Sequence, residues 1–193
     1  VNGVSPANGF TYVSTFTGIG GFETGFDAQG WTNQLMVEID PNCRRLLAAR
    51  FPDVPLEGDI RNVAGTSLNR PDLVCGGFPC QDTSVAAPHR AGLAGSRSGL
   101  FWEFHRLLDE HLRLVDESKP RWVVIENPEG LLSSRQGSDM AAVVSGLEDL
   151  GYGWAYRVVD GGRLGTTQRR RRVIVVGHRG GDPRPAWEVL GDD

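Results

Sequence analysis

A thiol, a carboxylate and a block of guanidinium groups stand out along this sequence as groups able to do chemistry. Cys80 lies in the run Gly76-Gly77-Phe78-Pro79-Cys80-Gln81, directly after a short apolar segment that reads as a strand. Two glycines and a proline then turn the chain. The thiol is therefore expected at the carboxyl edge of a sheet, where ligands of open α/β folds collect. A thiol there is a candidate nucleophile, provided a neighbour lowers its pKa or accepts its proton. Cys75 falls inside the strand itself and reads as a small buried hydrophobe. Glu126-Asn127 closes a second apolar run, Trp122 to Ile125. Its carboxylate reads either as a strand-end cap or as a proton donor or acceptor beside Cys80. Gln168-Arg169-Arg170-Arg171-Arg172 precedes the last apolar run. Strand alternation sends Arg170 and Arg172 to one side and Arg169 and Arg171 to the other, so two can face a site and two can face water or phosphate. A solvated basic turn is the plainer alternative.

A second constellation lies closer to the N-terminus. Thr17-Gly18-Ile19-Gly20-Gly21 follows the first apolar run and opens a helical stretch, where glycines let the backbone approach a ligand. Glu38 ends the next strand about 20 residues on, a place from which an acid can bind ribose hydroxyls. Asp59, in Gly58-Asp59-Ile60, falls near the end of a third strand and could accept from an adenine amino group. Either acid alone could be a solvated turn residue; in this order, with the glycines, they favour a bound adenosine. The regular Gly-x-Gly-x-x-Gly spacing is absent, because Glu23 or Thr24 stands where the third glycine belongs. That moves the expectation from a dinucleotide to S-adenosylmethionine.

These groups need a scaffold, and the pattern of apolar runs supplies one. Runs of four or five residues alternate with longer amphipathic stretches, the signature of strands joined by crossover helices. Strands are expected near Tyr12–Phe16, Gln34–Glu38, Asp72–Gly76, Trp122–Glu126, Tyr152–Asp160 and Arg172–Gly177. The fourth and last of these are apolar without alternation, so both of their faces should be covered. Helices fit Gly21–Gln29, Asn42–Arg50 with Pro41 in the first turn, Gly99–Leu114 and Ser138–Leu150. The expected fold class is α/β, a Rossmann-like, doubly wound, mostly parallel sheet in a single domain. Residues 1–11 read as an N-terminal extension, 12–180 as the domain, 81–98 as a mobile loop within it, and 181–193 as a tail or truncated linker.

Bulk properties limit the classes of function. At 193 residues the chain can bury about 70% of its unfolded surface without disulfides. Its three cysteines form no Cys-x-x-Cys pair and no zinc-spaced cluster with histidine, which argues for a reducing compartment and no metal. No apolar run approaches a membrane span and no signal peptide is evident, so a cytoplasmic protein with no membrane partner is expected. The net charge of −4 argues against a nucleic-acid partner, yet residues 163–184 hold seven arginines and one acid.

Taken together, the Gly-rich turn, Phe-Pro-Cys-Gln, Glu-Asn and Gln-x-Arg-x-Arg resemble the motifs of the S-adenosylmethionine-dependent cytosine-5-methyltransferases, from Thr11 to Gly177. The resemblance implies a class I methyltransferase fold, bacterial or phage origin within restriction-modification, and DNA as partner. It places the cofactor site on Phe16, Gly18, Gly20, Glu38, Ile39, Asp59, Ile60, Pro79 and Leu100, with S-adenosylhomocysteine as product. It implies Cys80 as nucleophile, Glu126 as the acid on the base, and Arg170 and Arg172 as positioning groups. DNA contacts fall on Gln81, Ser84, Arg90, Arg97 and Asn127. Pro128 stands where the family commonly has valine, and no target-recognition domain follows the arginine motif. Asn2-Gly3-Val4-Ser5-Pro6 faintly resembles the end of the family's final motif. The departures leave three expectations: an enzyme, alone or completed by a second chain that supplies target recognition; a non-catalytic or partner-dependent cofactor-binding subunit; or a tRNA cytosine methyltransferase.

Overall fold

Successive side chains of a strand point to opposite faces, so the unbroken apolar runs of this chain demand cover on both sides. The computed structural model describes residues 9–79, 99–164 and 169–191. Strands β1 (Thr11–Thr15), β2 (Thr32–Val37), β3 (Leu56–Glu57), β4 (Leu73–Gly76), β5 (Trp122–Pro128), β6 (Tyr152–Asp160) and β7 (Arg171–Arg179) form one sheet. Their order is β3-β2-β1-β4-β5-β7-β6. The neighbours from β3 to β5 are parallel, whereas β7 is antiparallel to β5, and β6 to β7. The expected mostly parallel α/β sheet is thus present, with β5 and β7 in its interior.

Helices α1 (Gly21–Asp27), α2 (Pro41–Arg50), α3 (Leu100–Leu114), α4 (Ser138–Asp149) and α5 (Arg184–Leu190) complete the layers. On one face Val13, Val74, Val123, Ile125, Val173 and Val175 pack under α3 and α4, which contribute Phe101, Phe104, Leu108, Val143 and Leu147. On the other face Tyr12, Leu73 and Cys75 meet Phe22 and Phe26 of α1, and Val176 and Ala155 meet Ala186 and Leu190 of α5. The apolar residues of α3 recur three and four apart and so form one buried stripe. Asp40 caps α2 by accepting from the Asn42 and Cys43 amides at 2.7 and 3.0 Å, with Pro41 in the first turn.

The C-terminal segment differs from expectation. Within 181–193, read from sequence as a tail or linker, Arg184–Leu190 is a helix with fully buried Ala186. The prolines that looked like linker residues stand at its start, where a missing amide hydrogen costs nothing. No helix among the described residues is long and apolar enough to cross a membrane.

Candidate active site

The carboxyl ends of β1, β2 and β4 open onto a cavity of about 440 Å³ lined by Phe16, Glu38, Ile39, Asp59, Ile60, Pro79 and Leu100. These seven were read from sequence as cofactor residues, and one cavity gathers them. Phe16 leaves β1 with a positive φ of 52°. Gly18 and Gly20 hold the adjoining turn. The Gly18 amide donates to Glu38 Oε2 at 2.6 Å and the Asp40 amide to Oε1 at 2.7 Å, so Glu38 ties the glycine turn to the end of β2. At Gly20 a side chain would be doubly penalised: φ is 88°, and a Cβ would come within 2.8 Å of the Phe51 ring. Asp59 is engaged by Arg61 through the amide and the guanidinium at 2.6–3.0 Å, and this pairing holds its carboxyl below the usual carboxylate range.

Val37, Gly58, Arg61, Gly77 and Glu103 also line the cavity and were not anticipated. Glu103 had a legible signal, since it stands three residues after Leu100 on the same helix and so on the same face. Beneath the turn, the α1 residue Glu23 is fully buried, and neither carboxyl oxygen has a hydrogen-bond partner of good geometry. Burial pushes its pKa up, against a smaller opposing pull from Ser14. Burial, reinforced by Glu23, likewise raises the Cys75 thiol well above its ordinary value.

The second half of the site sits one strand over. Glu126 and Asn127 lie near the end of β5, opposite Ile174 and Val173 of β7. Arg172 Nε lies 2.7 Å from Glu126 Oε1, an ion pair in which the N–H is not aimed along the contact. Asn127 Nδ2 donates to the Phe78 carbonyl at 2.9 Å. Gly77 runs so close to Glu126 that a Cβ there would lie 3.0 Å from Oε2. Pro128 extends β5 and pairs with Arg172 in register.

Arg169 and Arg171 share a separate cavity of about 370 Å³ with Val158 and Asp160, and Arg171 pairs with Glu129 at 2.8 Å. Arg170 is exposed; its amide donates to Asp160 Oδ1 at 3.2 Å. Arg172 is therefore the arginine brought to Glu126, and Arg170 is not. Cys80, Gln81, Ser84, Arg90 and Arg97, with the rest of the 81–98 loop and the Asn2–Pro6 motif, lie outside the described residues.

Comparisons with known proteins bear on this arrangement. The family model of C-5 cytosine-specific DNA methylases matches residues 10–188. Type II methyltransferase M2.BsuMI of Bacillus subtilis (strain 168) is 41% identical over 174 residues, covering 89% of this chain and 43% of that protein. Type II methyltransferase M.AquIA of Picosynechococcus sp. is 33% identical over 184 residues, covering 86% of this chain and 71% of that protein. The crystal structure of a Spodoptera frugiperda DNMT2 mutant superposes with a TM-score of 0.70 at 16% identity, over 88% of this chain and 50% of the other, a likeness of fold. The chain thus spans between two-fifths and three-quarters of these relatives.

Proposed function

The chain belongs to the C-5 cytosine-specific DNA methylase family, and from that premise we propose that it transfers a methyl group from S-adenosylmethionine to carbon 5 of cytosine in DNA. One junction carries the reading. Gly77 and Pro79 form part of the cavity wall, while Gly77 and Phe78 abut Glu126 and Asn127. Cys80 is the next residue in the chain after this junction.

The cavity fits the cofactor. Its volume is in the range of small-molecule sites, and Glu38 and Asp59 supply acceptors for hydroxyl and amino groups. Bound there, S-adenosylmethionine supplies an electrophilic methyl on a sulfonium and leaves as S-adenosylhomocysteine. Glu38 would hold the ribose, Phe16, Ile39, Ile60 and Leu100 would bind the adenine, and the Gly18–Gly20 turn beside the cavity would leave room for the remainder.

Carbon 5 of cytosine is a weak nucleophile. Addition of the Cys80 thiolate to carbon 6, with Glu126 protonating or hydrogen-bonding ring nitrogen 3, pushes electron density onto carbon 5. Arg172, 2.7 Å from Glu126 Oε1, holds the carboxyl group in place so that its other oxygen can carry the proton to nitrogen 3. After methyl transfer, a base removes the carbon 5 proton and the thiolate is expelled. None of these groups reaches a base inside a duplex, so the cytosine must be extruded, at a cost of a few kcal/mol. Gln81, Ser84, Arg90 and Arg97 are assigned to supporting the DNA around it; Asn127, expected from sequence to contact DNA, is instead fully buried and bonded to the Phe78 carbonyl, so it serves the junction.

The decisive experiment is trapping. With S-adenosylmethionine, duplex DNA containing 5-fluorocytosine should form a denaturation-resistant adduct with the protein, and Cys80→Ala should form none. Adding a chain that carries a target-recognition domain, or substituting tRNA for DNA, separates the partner-dependent and tRNA readings. Absence of an adduct under every condition overturns the catalytic assignment.

A further inference from the structure

Two walls of the cofactor cavity come from segments that lie outside the sheet and pack on it. One is the first turn of α3, with Leu100 and Glu103; the other is the short turn after β3, with Asp59, Ile60 and Arg61. One side chain bonds to both. Arg106, one turn further along α3, donates from Nη2 to the carbonyls of Ile60 and Val63 at 2.9 and 3.0 Å. The same guanidinium donates from Nε to Glu103 at 2.8 Å and from Nη1 to Glu110 at 2.9 Å. Glu110 accepts from the Gly65 amide at 2.8 Å, and His111 Nδ1 contacts the Gly65 carbonyl at 2.9 Å. The guanidinium fork thus binds the Ile60 carbonyl of one wall and the Glu103 carboxylate of the other, with Val63 and Glu110 further along the same segments, a geometry a lysine cannot reproduce.

We propose that Arg106 is a positioning residue for the cofactor, fixing the spacing of the walls that carry Ile60 and Leu100 and so the cavity's tolerance for substituents on the adenine. The assignment rests on the reading of this cavity as the S-adenosylmethionine site. Arg106 does not line the cavity itself; it acts through the Ile60 carbonyl and the Glu103 carboxylate. A rigid wall rejects added atoms because a packed boundary must be displaced to admit them. A wall freed from its tie gives way.

The test uses two ligands and calorimetric titration, so turnover is not required. One ligand is S-adenosylhomocysteine; the other is the same molecule with a methyl group added to the exocyclic adenine nitrogen. The wild-type chain should prefer the unmodified ligand by tenfold or more. In Arg106→Met the affinity for S-adenosylhomocysteine should fall about tenfold, and the preference should narrow to threefold or less. The ratio matters because partial unfolding lowers both apparent affinities by the same factor and leaves it unchanged. Glu103→Gln, which keeps the carbonyl bonds, should give an intermediate ratio and serves if Arg106→Met does not fold. Ratios in both variants equal to wild type, or a wild-type chain that binds both ligands alike, overturn the proposal. A wild-type chain that binds neither overturns the cofactor reading beneath it.

Discussion

Burial dominates at Glu23, whose carboxyl group finds only a weak opposing pull from Ser14, with Asp27 nearby raising its pKa further and Arg50 only partly relieving it. Because burial raises its folded-state pKa, the neutral acid favours the fold fully below the ordinary value of 4.5. That contribution is lost as pH rises from there through the raised value. Glu23→Gln should therefore flatten the pH dependence of stability above about pH 4.5 and raise Tm at pH 8. Each ~1 kcal/mol recovered is worth about 2–4 °C at this chain length. Thermal melts of both proteins from pH 5 to 8.5 check this, and parallel curves would show that Glu23 does not titrate there. At this scale the sequence was most legible where a polar residue interrupts an apolar run, as Glu126 does. Arg61 and Arg106 were not legible as site residues, because their roles depend on which segment folds beside them.

At the scale of elements, α5 illustrates how composition can mislead. Asp182-Pro183-Arg184-Pro185 has the residues of a linker, yet prolines are tolerated in a helix's first turn, and the apolar positions that follow are too few to show a period. The structure instead buries Ala186 against Ala155 and Val176 while leaving Trp187 59% exposed. The small residue is thus the anchor and the large one is not. Ala186→Leu should destabilise by about 1–3 kcal/mol through overpacking, whereas Trp187→Ser should stay within about 0.5 kcal/mol of wild type. Denaturant titration distinguishes the two, and equal midpoints would mean that α5 contributes nothing to the fold. The central strands were readable for the opposite reason: apolar residues on both faces of β5 and β7 leave no other burial possible.

For the whole molecule, the change from parallel to antiparallel pairing at β5 and β7 divides the labour of the site. The parallel half forms the cavity; the antiparallel hairpin of β6 and β7 brings up the arginines. The order of motifs pointed to the sheet, and strand alternation to the separation of Arg169 and Arg171 from Arg172, but not to the absence of Arg170 from Glu126, because the strand begins only at Arg171. If Arg169 contacts a DNA phosphate, Arg169→Gln should weaken binding to all duplexes alike. It should also lower the slope of log affinity against log salt by about 0.9. Fluorescence anisotropy across 50–200 mM salt measures it, and an unchanged slope would remove Arg169 from the DNA-facing surface.

The bond from Asn127 to the Phe78 carbonyl, with Gly77 pressed against Glu126, also has a dynamic consequence. Two segments tied side chain to backbone and packed with no intervening side chain fluctuate together. A bonded and directly packed pair resists relative displacement. Displacement is shared at this junction rather than accumulated, so the chain at Gly77–Phe78 and the Glu126 carboxylate belong to one reference frame.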